Sequence, residues 1–408
     1  MKVKIGKSIA KGEIYAPPSK SYAHRLLICG ALTGKSLEID GISDSEDMGA
    51  TLDCISALGG KYIRDGRTVK FSDVTDFFAD GKEFFCRESG STIRFFIPIA
   101  LAFGGNIKFH GSERLMSRGF SAYEDICREQ NIILEYDDRY LTLKGKLKSG
   151  EFKVKGNISS QFISGLMFAL PLLDGDSVIK VTTELESRPY VDITIDALQR
   201  FGVEIKETEK NTFFIKGNQI YKPNNLRVEG DFSNSAFLDA FNILGGEVSV
   251  LGLNSHSYQG DKAYIPMLKA LGEGAPTLDI SNCPDLGPLL FAVAGVKHGA
   301  VINGTARLRI KESDRCETMK KELSKFGIDV RIYDNSVHII SPKELKAPSE
   351  PLYGHGDHRI VMALSVISTL TGAEIEGAEA VSKSYPDFFE AVATLGVEVN
   401  YEKTDKGQ

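Results

Sequence analysis

The chain has 408 residues, 42% of them hydrophobic and 25% charged, with a formal net charge of −6. This length exceeds what one ordinary core takes, so two domains are expected. The acidic balance excludes a nucleic-acid protein built on broad phosphate neutralisation, and anion binding must come from local clusters. Apolar runs stay below the ~18 residues that cross a bilayer, so no membrane span is expected.

The first residues, Met-Lys-Val-Lys-Ile-Gly, turn polar at once and do not read as a signal peptide. The six cysteines are scattered, with no Cys-x-x-Cys and no metal-ligand spacing. We read them as reduced thiols of a cytoplasmic protein with neither metal nor cofactor. The glycosylation-like sequences at Asn157 and Asn303 are then chance matches.

At Pro17-Pro18-Ser19-Lys20-Ser21-Tyr22-Ala23-His24-Arg25 two prolines end a strand, and Ser-x-Ser caps a helix that continues as Leu26, Leu27, Ile28 and Ala31. A helix start favours an anion, and Lys20 and Arg25 add full charges there. Gly30 to Ser36 resembles a P-loop but is one residue short and closes a helix, so it is rejected and Gly34 read as a C-cap.

A pattern then repeats: a short amphipathic helix, a Leu/Phe-Gly stop, and two strands joined by a polar turn. It occurs at Leu52–Gly59 with Tyr62–Phe71, Tyr123–Gln130 with Ile132–Leu143, and Ile195–Gly202 with Val203–Lys216. Ile265–Gly272 repeats the helix alone. Met319–Gly327 leads into Ile328–Ile340, and Phe388–Gly396 into Val397–Tyr401. The spacing of roughly 55 to 72 residues exceeds solenoid repeats and marks subdomain units.

Each unit has an earlier helix as well, starting near Ser19–Ser21, Ser89–Thr92, Ser159–Gln161, Asp231–Ser235, Asp285 and Asp357–Arg359. Strands precede most of them. The chain therefore reads as six βαβαββ-like units, three to a domain, with hydroxyl- or acid-rich helix starts that could share a cleft. A seam is expected near Tyr221–Glu229. The expected domains are 19–229, and 1–18 together with 230–408.

Several stretches stand out singly. Ser89-Gly90-Ser91-Thr92 opens an apolar helix, and Gly90 lets a ligand approach the backbone. Gly111–Gly119 reads as a polar loop with Arg114 and Arg118. Ser159-Ser160-Gln161 sets two hydroxyls and an amide at a helix start, which suits phosphate. Ser187-Arg188-Pro189-Tyr190 combines a helix-start proline with an aromatic. Arg309 to Arg315 holds five charges, and Lys311 and Arg315 at i and i+4 would share a helical face. Asp285, after Cys283-Pro284, is expected to cap the helix of Leu286–Val296. Asp357-His358-Arg359 opens another apolar helix, and Lys383 precedes a start at Ser384–Asp387. Each taken alone is equally well a cap or a solvated charge.

In this order and spacing the motifs resemble, over essentially the whole chain, the 5-enolpyruvylshikimate-3-phosphate (EPSP) synthases. Those carrying the match are Pro-Ser-Lys-Ser…Arg (18–25), Ser-Gly-Ser-Thr…Arg (89–94), the Arg118 loop, Ser159-Ser-Gln161 and Val-Glu-Gly-Asp (228–231). Gln259-Gly-Asp261, Pro284-Asp285, Lys311-Glu-Ser-Asp-Arg315, Asp357-His-Arg359 and Lys383…Pro386-Asp387 complete it. The resemblance implies an α/β, two-domain, inside-out barrel-like fold of six βαβαββ units with its active site in the interdomain cleft. It implies transfer of the enolpyruvyl group of phosphoenolpyruvate (PEP) to the 5-hydroxyl of shikimate 3-phosphate, with phosphate released, by a monomer acting on neither nucleic acid nor membrane.

Carried over residue by residue, the resemblance assigns Lys20, Gly90, Arg118, Gln161, Arg315, Arg359 and Lys383 to PEP. Lys20, Ser21, Arg25, Ser159, Ser160, Gln161, Ser187, Tyr190, Asp285 and Lys311 are assigned to shikimate 3-phosphate. Lys20, Asp285 and Glu312 are the catalytic set, with Asp285 the base for the 5-hydroxyl. Glu312 is the acid for the PEP methylene, expected to need burial or negative substrate to keep its proton. Two positions depart from the family pattern: Glu88, where many members have Asn, and Arg307, where some have Asn. Glyphosate is the family's PEP-site competitor. The sister UDP-N-acetylglucosamine enolpyruvyl transferases typically show Lys-Asn at 20–21 and a cysteine in the 111–119 loop, neither of which is present. A non-catalytic anion- or RNA-binding module would not place two acids among the cations.

Overall fold

The protein is described by a computed structural model covering residues 1–402. The chain separates into two compact units. The first holds Met1–Pro17, Gly230–Ser255 and the chain from Gly260 on; the second holds Pro18–Glu229 and His256–Gln259.

Five four-stranded sheets share one topology. In three of them, two parallel strands joined through a helix are followed by an antiparallel hairpin, and the other two reach the same strand order with one strand borrowed from elsewhere in the chain. One runs Glu83–Phe85, Gly105–His110, Tyr140–Gly145, Ile133–Tyr136 in spatial order. In the second unit a short strand, Leu226–Arg227, completes the sheet of Leu37–Asp40 by parallel pairing. In the first unit the strand Lys2–Ile5 takes the place of a hairpin strand, antiparallel to both Ala373–Glu376 and Val399–Glu402. The sixth unit keeps only two strands: Glu247–Leu251 pairs in parallel with Lys11–Tyr15, and no hairpin follows the helix Tyr264–Glu273. Six repeating units and mixed α/β architecture are thus as expected.

Alternation in the hairpins puts one face inward, as in Tyr140–Gly145, where Leu141 and Leu143 are buried and Thr142 and Lys144 exposed. The helices within the parallel connections are apolar nearly all round and bury accordingly. Gly90–Phe103 and Ser160–Ala169 do so in the second unit, and Gly287–Val296 and His358–Thr371 in the first. Each unit closes around its own core, Phe95, Phe162 and Phe168 in one and Phe237, Phe291 and Met362 in the other.

One detail of the second core fixes the site backbone. Pro98 lies inside the helix Gly90–Phe103 and has no N–H for the carbonyl of Arg94. The Tyr123 hydroxyl donates to that carbonyl instead, at 2.5 Å. Gly165 on the neighbouring helix makes room: a Cβ there would lie 2.3 Å from the Arg94 carbonyl oxygen and 2.4 Å from the Tyr123 hydroxyl.

Candidate active site

The helix starts of the second unit form where the hydroxyl caps predict. Ser19 accepts from the Tyr22 N–H, Ser89 from Thr92 and Ser159 from Gln161, opening helices at Lys20, Gly90 and Ser160. A buried line of hydrogen bonds ties three elements together. His24 Nδ1 meets Thr51 Oγ1 at 2.7 Å, Thr51 meets Thr92 at 2.8 Å, and the Thr92 hydroxyl donates to Ser89 at 2.7 Å. Burial holds His24 well below its usual value, so the ring is a neutral strut behind this turn.

Around that turn the side chains are cationic. A Cβ on Gly90 would lie 2.7 Å from Arg118 Nη1 and 2.8 Å from Arg94 Nη1, so both guanidiniums border the glycine. Arg94 also donates to Gln161 Oε1 at 2.8 Å, while Gln161 Nε2 donates to Ser91 at 2.9 Å. Gly90, Arg118 and Gln161 are therefore brought together, and Arg94 joins them. The sequence reading counted Arg94 only as part of a motif; its signal was a lone arginine one helical turn after Gly90. Gly111–Gly119 departs from the expected loop: Glu113–Met116 form a helical turn with Leu115 and Met116 buried, which anchors Arg118.

Arg25 is 2% exposed. It donates to the Thr194 hydroxyl at 2.8 Å, the Ser21 carbonyl at 2.7 Å and the Tyr190 carbonyl at 3.0 Å. Among the described residues it has no carboxylate partner, and burial brings its pKa down to about 10. Such a cation lacks a counter-charge that a substrate carboxylate can supply. Lys20 donates to Asp47 on the helix Glu46–Ala57 at 3.0 Å, an acid the sequence reading missed. Ser187 takes a left-handed backbone, φ 56°, at the start of the helix Arg188–Arg200, with no side-chain cap.

The first unit organises its charges differently, and two expectations fail there. Asp285 is not a helix cap. It sits in the 3₁₀ turn Pro284–Leu286, and the helix Gly287–Val296 starts after it without a side-chain cap. Nor do Lys311 and Arg315 share a helical face. Lys311 is extended, and the helix begins at Arg315 because Asp314 accepts from the N–H groups of Cys316 and Glu317. The bend brings the charges together more tightly than a helix face would.

Arg315, 1% exposed, is the centre. It donates to Asp285 Oδ1 at 2.9 Å, Glu312 Oε2 at 2.9 Å and Asp357 Oδ2 at 2.8 Å. Burial alone would lower it, but Asp357, Glu312 and Asp285 hold it well above its usual value. Asp285 also receives Lys311 at 3.3 Å and Arg359 at 3.5 Å. Burial lowers Lys311 below the ordinary lysine value. Asp357 caps the helix His358–Thr371 through the Arg359 N–H, and Lys383 donates to the Gly356 carbonyl at 2.6 Å. Arg307 donates to the Ser281 carbonyl.

Two carboxyl groups, Asp285 and Glu312, thus meet on one guanidinium. Each stays about one-fifth exposed, so a substrate can reach them, while Asp357 behind is sealed from solvent. A cavity of about 320 Å³, lined by Asp239, Tyr264, Leu268 and neighbours, contains none of these residues. Among the described residues no cluster of His, Cys, Asp and Glu could hold a metal ion, and no helix is long and apolar enough to cross a membrane.

The model of the family EPSP synthase (3-phosphoshikimate 1-carboxyvinyltransferase) matches residues 4–277 and 273–392. The chain belongs to the EPSP synthase family. Among its relatives, the 3-phosphoshikimate 1-carboxyvinyltransferase of Clostridium kluyveri is 41% identical over 98% of both chains. That of Clostridioides difficile is 39% identical over 97% of both. In fold it is similar to an EPSP synthase of Acinetobacter baumannii, with a TM-score of 0.77, 22% identity, and 98% and 100% of the two chains covered.

Proposed function

We infer that this protein is a transferase that moves the enolpyruvyl group of PEP to the 5-hydroxyl of shikimate 3-phosphate, a step of the shikimate pathway toward aromatic amino acids. Family membership over nearly the full chain supports the reaction. The observation that carries the mechanism is the pairing of Asp285 and Glu312 on Arg315.

The chemistry is addition followed by elimination. The PEP methylene gains a proton, the 5-hydroxyl oxygen bonds to the PEP C2 and loses its proton, and a tetrahedral adduct forms. The C2–O bond to phosphate then breaks as a methyl proton leaves, regenerating the enol ether. We assign the proton on the methylene to Glu312 and the hydroxyl proton to Asp285, with Lys20 as the third catalytic group. PEP carries a carboxylate and a phosphate, which call for several cations; Lys20, Arg118, Arg315, Arg359 and Lys383 supply them, with Gly90 and Gln161. The phosphate of shikimate 3-phosphate is given Ser159 and Ser160, with Ser187 and Tyr190 beside it, and Gln161 touches both substrates. Ser21 and Arg25 take its carboxylate, and Lys20, Lys311 and Asp285 complete the set. The ion pairs of Arg315 and Lys311 with Asp285 must loosen as the substrates add negative charge.

The same reading makes the protein a cytoplasmic monomer without cofactor or nucleic-acid partner. Its test is phosphate release from PEP: release that requires shikimate 3-phosphate supports it. Release that requires a UDP-sugar instead, or none with either, refutes it.

A further inference from the structure

The helix Arg315–Ser324 grips the turn 353–357 at both ends. At its start Arg315 holds Asp357; two turns on, Glu322 holds the other end. The Glu322 carboxylate is fully buried and accepts three donors: the Tyr353 N–H at 3.0 Å, His355 Nε2 at 2.8 Å and Lys325 Nζ at 2.8 Å. A carboxylate only accepts, so His355 donates from Nε2. His355 has φ 50° and Gly356 φ 65°, two consecutive left-handed residues. Glycine does this freely; histidine does not, and persists there because its ring is tied to Glu322 and packs edge-on against Tyr353 with centroids 4.8 Å apart.

The twist turns the Gly356 carbonyl to Lys383, 2.6 Å away, and delivers Asp357 to Arg315 and to the Ser313 hydroxyl at 3.1 Å. Lysine is a point charge on a flexible stem, so a fixed acceptor decides where its ammonium waits. We propose that Glu322 and His355 are positioning residues for PEP: they lock the turn 354–357 so that it presents Lys383 and Arg315 together. This rests on the assignment of those two cations to PEP.

The test is steady-state kinetics with both substrates, plus thermal melting. His355→Asn keeps a residue that tolerates positive φ but removes the ring's reach to Glu322. It is expected to raise KM for PEP roughly tenfold, as for one lost charge-assisted hydrogen bond, with KM for shikimate 3-phosphate unchanged. Glu322→Gln, which keeps an acceptor, should give a smaller rise of the same kind. Lys383→Ala is the control for the underlying assignment, and His355→Asn in its background should add less than it does in the parent, because the Gly356–Lys383 contact is already gone and only the Asp357–Arg315 contact is left to disturb. If Lys383→Ala leaves KM for PEP unchanged, that assignment fails. If Lys383→Ala raises it and His355→Asn does not, or His355→Asn raises both KM values alike with a lower melting temperature, the positioning role is overturned.

Discussion

The two units hold the guanidiniums of their candidate sites in opposite ways, although Lys20 of the second is paired with Asp47. In the second unit Arg25 and Arg118 have no carboxylate partner among the described residues, and Arg94 leans on Gln161. In the first, Lys311, Arg315 and Arg359 all touch Asp285, and Arg315 adds Glu312 and Asp357. Guanidiniums without a carboxylate partner, such as Arg25 and Arg118, are suited to anions that bind and leave. Acids cross-linked to cations are held at fixed positions as carboxylates, and a proton on Glu312 then calls for the negative charge of the substrates to offset Arg315. In the proposed reaction both acid–base carboxyls, Asp285 and Glu312, belong to the first unit, most of the groups assigned to shikimate 3-phosphate belong to the second, and the cations assigned to PEP come from both.

The sharpest break is at the acids. Glu312→Gln keeps a partner for Arg315 yet removes the proton, and kcat should fall by roughly 10²–10⁴ with the fold intact. Asp285→Asn should fall similarly. Stopped-turnover assays with circular dichroism check both, and wild-type turnover in either variant removes that residue from its role.

Next comes a paired comparison of arginines. Arg315→Met leaves Asp357 sealed and without its guanidinium, a change that costs about 3–5 kcal/mol. Arg25→Met abandons no acid, so chemical denaturation should show a smaller loss. Its KM for shikimate 3-phosphate should rise roughly tenfold to a hundredfold. Equal destabilisation by the two substitutions would erase the distinction between the units.

What the sequence discloses follows the same division. Caps are local chemistry, so Ser19, Ser89, Ser159, Asp231 and Asp357 mark their helices directly. The Lys311–Arg315 run carries i, i+4 charges that satisfy a helical reading, but Asp314 competes for the helix start and delays it by its own hydrogen bonds. Arg94 hides in an apolar helix, where only its spatial neighbours reveal a role. The pairing of Lys11–Tyr15 with Glu247–Leu251 is non-local, which no window of periodicity encodes.

Lys311 gives a subtler test. Burial lowers its folded pKa, so between that value and the ordinary 10.5 the unfolded chain binds more protons and stability rises with pH. Below that interval the folded state carries a constant penalty for the charge. Lys311→Met should therefore melt higher than the parent at neutral pH, Asp285 keeping Arg315 and Arg359 as partners. The gap between the two melting curves should narrow as pH climbs toward 10.5. A variant that melts lower at neutral pH would show that the Asp285 contact outweighs burial.

The smallest change concerns one methyl group. Gly90→Ala would set a carbon within 3 Å of the Arg118 and Arg94 nitrogens, but both are ends of flexible side chains, so the fold should hold. Arg118 is assigned to PEP and Arg94 stands beside it, and their displacement narrows the space between glycine and guanidinium. Glyphosate, a PEP-site competitor of different shape, should lose affinity more than PEP does, raising its inhibition constant relative to KM for PEP. An unchanged ratio would mean that the guanidiniums shift freely and that Gly90 is needed for approach of the backbone alone.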